Sequence, residues 1–144
     1  MRNTLYLIFL VLIVTLDANG QEGTTVNGVD TTSLRSSDQI FQFVDSMAMP
    51  VGGYEPFYRY IGMNIKYPKA ARDKKVTGKV IVEFVVERDG SISSKNIKIL
   101  KSPHDSLSEE ARRLIKNAPD WIPGKIKGIP VRSKKVLPIT FNLG

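Results

Sequence analysis

The sequence has no cysteine, a single histidine (His104) and a single tryptophan (Trp121) among its 144 residues. Without thiols there can be no disulfide and no thiolate metal site, and one imidazole cannot build a histidine-rich one. A lipid anchor on an N-terminal cysteine is excluded in the same way, so stability has to come from packing. Catalytic groupings are also missing: there is no phosphate loop, no metal-ligand spacing and no nucleophile with a paired base. His104 stands beside Asp105, but neighbours in sequence seldom point together, and the pair reads as loop and helix-start residues. Glu109 and Glu110 fall in a first helical turn, where acidic side chains suit the helix dipole. Neither a cofactor, a metal nor a catalytic activity is expected. Long apolar runs are scarce too. The longest, Leu5 to Leu16, has twelve residues, fewer than the roughly 17 to 25 needed to span a bilayer as a helix.

That run follows Arg2 and precedes a polar tail in which Ala18 and Gly20 form a small-x-small site. Residues 1–20 therefore read as an export signal cleaved between Gly20 and Gln21, with a short uncleaved membrane anchor as the alternative. Residues 21–40 are rich in Gly, Thr, Ser, Asn and Asp, a composition too polar to order itself. They read as a flexible linker that reaches about 70 Å at most. The formal charge of +7 would ordinarily raise nucleic-acid binding, which export argues against. The excess fits an acidic peptide or an anionic membrane better, or serves solubility.

Residues 41–144 carry the periodic patterns of one small domain. Phe41 and Phe43 alternate with Gln42, predicting a short strand before the turn formers Gly52 and Gly53. Phe57, Ile61 and Ile65 fall four apart and predict an amphipathic helix. A second helix of two or three turns is expected after Tyr67-Pro68, through Ala70 and Ala71 and stopping by Gly78. Val80, Val82, Phe84 and Val86 alternate as a half-buried antiparallel strand, Asp89-Gly90 supplies a hairpin turn, and Ile97 and Ile99 continue the return strand. The polar run Ser93 to Asn96 between them predicts a bulge or a loose register. Ser106 with Glu109 forms a capping box for a helix whose face is Leu107, Ala111, Leu114, Ile115 and Ala118. In the stretch from Pro119 to Val131, Trp121 is expected to pack in the core, with Pro123-Gly124 turning the chain toward the last strand. There Leu137, Ile139, Phe141 and Leu143 alternate around Pro138, which cannot donate to a ladder, so part of one edge should stay unpaired.

The ordered set Tyr67-Pro68, Ala70-Ala71, Gly78, Asp89-Gly90, Glu110-Ala111-Arg112, Trp121, Pro123-Gly124, Gly128, Val131, Pro138 and Phe141 resembles the C-terminal domain of the energy transducer TonB over residues 41–143. The upstream Met49-Pro50, Gly52-Gly53 and Asn64 to Pro68 resemble its Bacteroidetes-type version. The resemblance implies an α+β fold, a small antiparallel sheet with two or three helices packed on it. It implies a periplasmic domain that binds an extended peptide, the TonB box of outer-membrane receptors, by strand addition in TonB-dependent transport. The partner-binding residues carried over are Lys66, Tyr67 and Pro68 and the edge Val131, Arg132, Ser133, Lys134, Lys135, Val136, Leu137 and Ile139. Proline in place of Lys135 or Ile139 is expected to weaken peptide binding if their N–H groups face the partner. The family's membrane anchor bears a histidine that couples to the ExbB–ExbD complex and is followed by a proline-rich spacer. Here the apolar run has no histidine and residues 21–40 no proline. The expectation is thus a periplasmic binding module, engaging ExbB–ExbD only if residues 1–20 stay as an inner-membrane anchor. A structural domain that pairs the same edge with a second copy, as a homodimer, is the alternative.

Overall fold

The computed structural model describes residues 14–16, 22–26 and 29–144. In chain order the elements are β1 (Val14–Leu16), β2 (Glu22–Val26), β3 (Val29–Asp30), α1 (Thr31–Ser36), β4 (Met49–Pro50), α2 (Tyr54–Asn64), α3 (Lys69–Asp73), β5 (Gly78–Val86), β6 (Lys98–Lys101), α4 (Asp105–Lys116), β7 (Trp121–Ile122), β8 (Lys125–Ile126), β9 (Ile129–Pro130) and β10 (Ser133–Phe141). They fall into two units, Met1–Ser37 and Asp38–Gly144.

In the first unit, β1, β2 and β3 pair antiparallel in that order. Most of the expected export segment lies outside the described residues. Within the stretch read as a linker stands α1, whose N-cap Asp30 accepts a bond from the Thr32 N–H at 2.8 Å. A local cap of this kind orders one turn in a sequence that lacks apolar periodicity.

The second unit is an α+β layer pair. Its main sheet has the order β10-β5-β6, all antiparallel. Val80, Val82, Phe84 and Val86 from β5 and Leu137, Ile139 and Phe141 from β10 point to one face and are buried there. They meet Phe57 and Ile61 of α2, Ala71 of α3, and Leu107, Ala111, Leu114 and Ile115 of α4 in a single core. Each large aliphatic chain so buried contributes about 1.5–3 kcal/mol. The alternating positions Lys79, Val136, Pro138 and Thr140 lie exposed on the opposite face. Trp121 packs edge-on against Phe57 and Phe84, with centroids 5.4 and 5.3 Å apart, and so joins the helical and sheet layers.

Several local expectations are corrected. Phe41 and Phe43 form no strand: Phe41 makes an isolated parallel bridge to Ser133, and Phe43 is 85% exposed. The second helix, α3, is five residues long, because Lys75 turns to a positive φ of 53° two residues after its end. The polar run Ser93 to Asn96 becomes a 3-10 turn, and the register slips at Leu100, between the pairs Ile81–Lys101 and Val82–Ile99. The capping box is replaced by an earlier cap. His104 is extended, and its Nδ1 accepts the Ser106 N–H at 3.2 Å, so Ser106 already sits in the first turn of α4. Glu109 then pairs with Arg112 at 3.5 Å rather than reaching back to Ser106. Finally, the segment from Pro119 to Val131 contains a hairpin, β8–β9, whose turn residues Lys127 and Gly128 both have positive φ. That is the type I′ combination which matches strand twist.

Candidate peptide-binding edge

β10 is an outer strand, bonded to β5 along one side in unbroken register from Ser133–Val86 to Phe141–Gly78. Along an antiparallel strand the N–H and C=O groups of successive residues point to alternate sides. The Phe41 N–H donates to the Arg132 carbonyl at 2.8 Å, and the Lys134 N–H donates to the Phe41 carbonyl at 2.9 Å. The backbone of residues 132 and 134 therefore faces away from β5, and so does that of Val136, Pro138 and Thr140. Among the described residues nothing pairs with these last three. Pro138 sits where an absent N–H leaves the β5 ladder whole, which is how a proline is accommodated inside this strand. The unpaired edge runs from Val136 to Thr140; above it the chain's own Phe41 occupies the edge.

The same parity places the N–H groups of Lys135, Leu137 and Ile139 toward β5. Proline at Lys135 or Ile139 would thus remove a donor of the internal ladder, not one offered to a partner. The side chains of Val131, Ser133, Leu137 and Ile139 are buried. Val131 donates its N–H to the Gly124 carbonyl at 2.9 Å. Arg132 forms a two-bond ion pair with Glu87, at 2.7 and 3.0 Å, and also donates to the Asp38 carbonyl. Its guanidinium, chiefly through those bonds, holds the Glu87 carboxyl below the usual carboxylate value. Lys134 pairs with Glu83 at 3.4 Å, and the Lys135 ammonium lies 5.5 Å over the Tyr54 ring. Val136 is 45% exposed.

Lys66, Tyr67 and Pro68 sit at the other end of the strand. Pro68 caps α3. The Tyr67 hydroxyl donates to the Val76 carbonyl, and its ring meets Phe141 edge-on at 5.9 Å. The Lys66 N–H donates to Glu110 Oε1 at 2.6 Å, and Arg113 grips the same carboxylate at 2.7 and 2.8 Å while donating to the Asn64 carbonyl at 2.7 Å. Burial alone would raise the Glu110 carboxyl, but these donors outweigh it and hold it low. The two residue groups taken from the sequence are therefore joined at Phe141 rather than along the open edge. The open edge also includes Thr140 and the Pro138 carbonyl, which the carried-over residues omit; the signal for them is Pro138 itself, whose position fixes which parity faces outward.

No metal-holding group of carboxylates or histidine occurs among the described residues, and no described helix is long and apolar enough to cross a membrane. Two clefts beside α4, one of about 380 Å³ along β6 and one of about 390 Å³ by Ser94 and Ile97, lie apart from β10.

This two-layer domain with an open terminal edge matches the Gram-negative bacterial TonB protein C-terminal family over residues 63–143, and the chain belongs to that family. Domains of the family are non-enzymatic parts of transport systems, periplasmic in Gram-negative bacteria, and interact with outer-membrane receptors. Among solved structures the chain is similar to the TonB C-terminal domain of Helicobacter pylori determined by NMR in solution, at 26% identity, covering 63% of this chain and 80% of that one with a TM-score of 0.48. No curated protein matches the chain.

Proposed function

We propose that residues 41–144 capture the TonB box of an outer-membrane receptor as an added strand on β10. Residues 1–20 export the chain to the periplasm and are removed between Gly20 and Gln21, and residues 21–40 connect to the binding domain. The domain binds and performs no catalysis; ExbB–ExbD contact would require that residues 1–20 stay in the inner membrane. The observation that carries the reading is the row of unpaired backbone groups at Val136, Pro138 and Thr140, bounded by Phe41 above and by the Tyr67–Phe141 contact below. Exposed N–H and C=O groups on an outer strand are what strand addition uses.

Calorimetry with synthetic TonB-box peptides from receptors of the same cell tests this. Val136→Pro removes an outward donor while sparing the β5 ladder, and should weaken binding about tenfold or more, given the loss of a backbone bond and the misfit of the added strand. Unchanged affinity sinks the reading. If the wild type instead forms a concentration-dependent dimer that Val136→Pro abolishes, and binds no peptide, the edge serves self-pairing.

A further inference from the structure

Four tyrosines of the α2 to α3 region divide into two kinds. The Tyr60 hydroxyl donates to the Asn117 carbonyl at 2.8 Å, and that of Tyr67 to Val76. Tyr54 and Tyr58, one turn apart on α2, have no hydroxyl partner among the described residues and are 36% and 41% exposed. Their rings are stacked, 6.4 Å apart and inclined by 28°. Each is braced from beneath by a buried aromatic: Tyr54 edge-on against Trp121 at 6.2 Å, Tyr58 edge-on against Phe57 at 5.4 Å. The result is a braced aromatic shelf, part-exposed at both rings, with the Lys135 ammonium lying over Tyr54.

The shelf adjoins the open edge. Lys135 of β10 extends over Tyr54, and the next residue, Val136, is the first with free outward backbone groups. A strand added there would run about 4.8 Å from β10, with alternate side chains on its two faces. Those on the helical face stand on the side of Lys135, whose ammonium lies over Tyr54, the ring stacked on Tyr58. Charge is also distributed unevenly along the edge. Arg132 and Lys134 have carboxylate partners in Glu87 and Glu83, whereas Lys135 has an aromatic ring and no carboxylate among the described residues.

The geometry points to Tyr54 and Tyr58, with Lys135, as the specificity subsite of the added strand, taking an aromatic or large aliphatic side chain and, two residues away on the same face, a carboxylate. This rests on the strand-addition reading, but the subsite belongs to this chain: Tyr54 and Tyr58 precede the span 63–143 matched to the family.

The test uses two acetylated, amidated nine-residue peptides labelled with fluorescein, followed by anisotropy. One alternates threonine and valine and carries a phenylalanine and a glutamate two residues apart; the control has alanine and glutamine in their places. The wild type should prefer the first by about five- to tenfold, the scale of one aromatic contact plus one exposed ion pair. Tyr58→Ser should reduce that preference to less than about twofold. Lys135→Gln should remove only the part owed to glutamate. Trp121 fluorescence reports whether each variant is folded, and Tyr58→Leu, which keeps an apolar surface, is expected to keep about half of the preference. A preference that survives in Tyr58→Ser, or no preference in a wild type that binds both peptides, overturns the subsite while leaving the edge intact. Loss of both peptides in Val136→Pro supports the edge. Equal binding of both peptides to Val136→Pro and wild type overturns the edge and the subsite together.

Discussion

At the scale of single residues, the tightest constraint is where the β5–β6 connection meets Trp121. The Trp121 N–H donates to the Gly90 carbonyl at 2.8 Å, Gly90 has φ 88°, and a Cβ added to it would lie 2.0 Å from the Trp121 carbonyl oxygen. Gly53 has a similar φ of 94° with open space around it. The two positions separate backbone strain from collision. Gly53→Ala should cost about 2 kcal/mol, the penalty for an L-residue held at φ 94° and ψ −176°, a region open only to glycine. Gly90→Ala should cost about 3 kcal/mol, because backbone must also move. Urea unfolding followed by Trp121 emission measures both, and equal losses would refute the collision. The turn role of Asp89-Gly90 and the core role of Trp121 were legible from residue type. Their mutual contact, 31 residues apart in sequence, was not, since no local pattern encodes which turn a distant strand will touch.

At the scale of elements, alternation and four-residue spacing predicted α2, α4, β5 and β10 with their buried faces, because burial imposes those periods. What lacked a period escaped. The bridge at Phe41 needs only two backbone bonds, and the β8–β9 hairpin shows itself by little more than Gly128. The cap of α4 was misplaced because histidine is an uncommon cap. His104→Ala should therefore cost about 1 kcal/mol and His104→Asn should restore most of it; thermal melts of the two variants would show equal losses if the imidazole bond contributes nothing. For β10 the sequence showed that an edge exists, while parity had to be taken from the Phe41 bonds. Two prolines test that parity. Ile139→Pro removes a donor to β5 beneath a buried side chain and should cost about 3 kcal/mol or more. Val136→Pro should cost less than about 1 kcal/mol, as Pro138 already does without its donor in the same row. If the two variants melt alike, the assignment of outward and inward groups is wrong.

At the scale of the whole molecule, two ion pairs tie separate elements together without any disulfide to assist. Glu87 and Arg132 join the end of β5 to the start of β10, with side chains 26% and 16% exposed respectively. Glu110 and Arg113 of α4 hold the Asn64 carbonyl and Lys66 N–H between α2 and α3. Both carboxyls are held below their ordinary value of 4.5, Glu87 chiefly by its Arg132 bonds, Glu110 by Arg113 and Lys66 against the opposing effect of burial. Such a group binds its proton more weakly in the folded state than in the unfolded one. Its contribution is therefore fully present above the unfolded value and disappears as pH falls through the lowered folded values. Asp89, held low by its Ser91 bonds, acts in the same direction. Stability from urea unfolding should accordingly be level from neutral pH to about 5.5 and then fall steeply as acid is added. The combined Glu87→Gln and Glu110→Gln variant should start lower at neutral pH and lose less on acidification, so that the two curves converge. An acid limb as steep as that of the wild type would place the titrating groups elsewhere and leave both pairs with a purely geometric part in joining the edge strand to the helices.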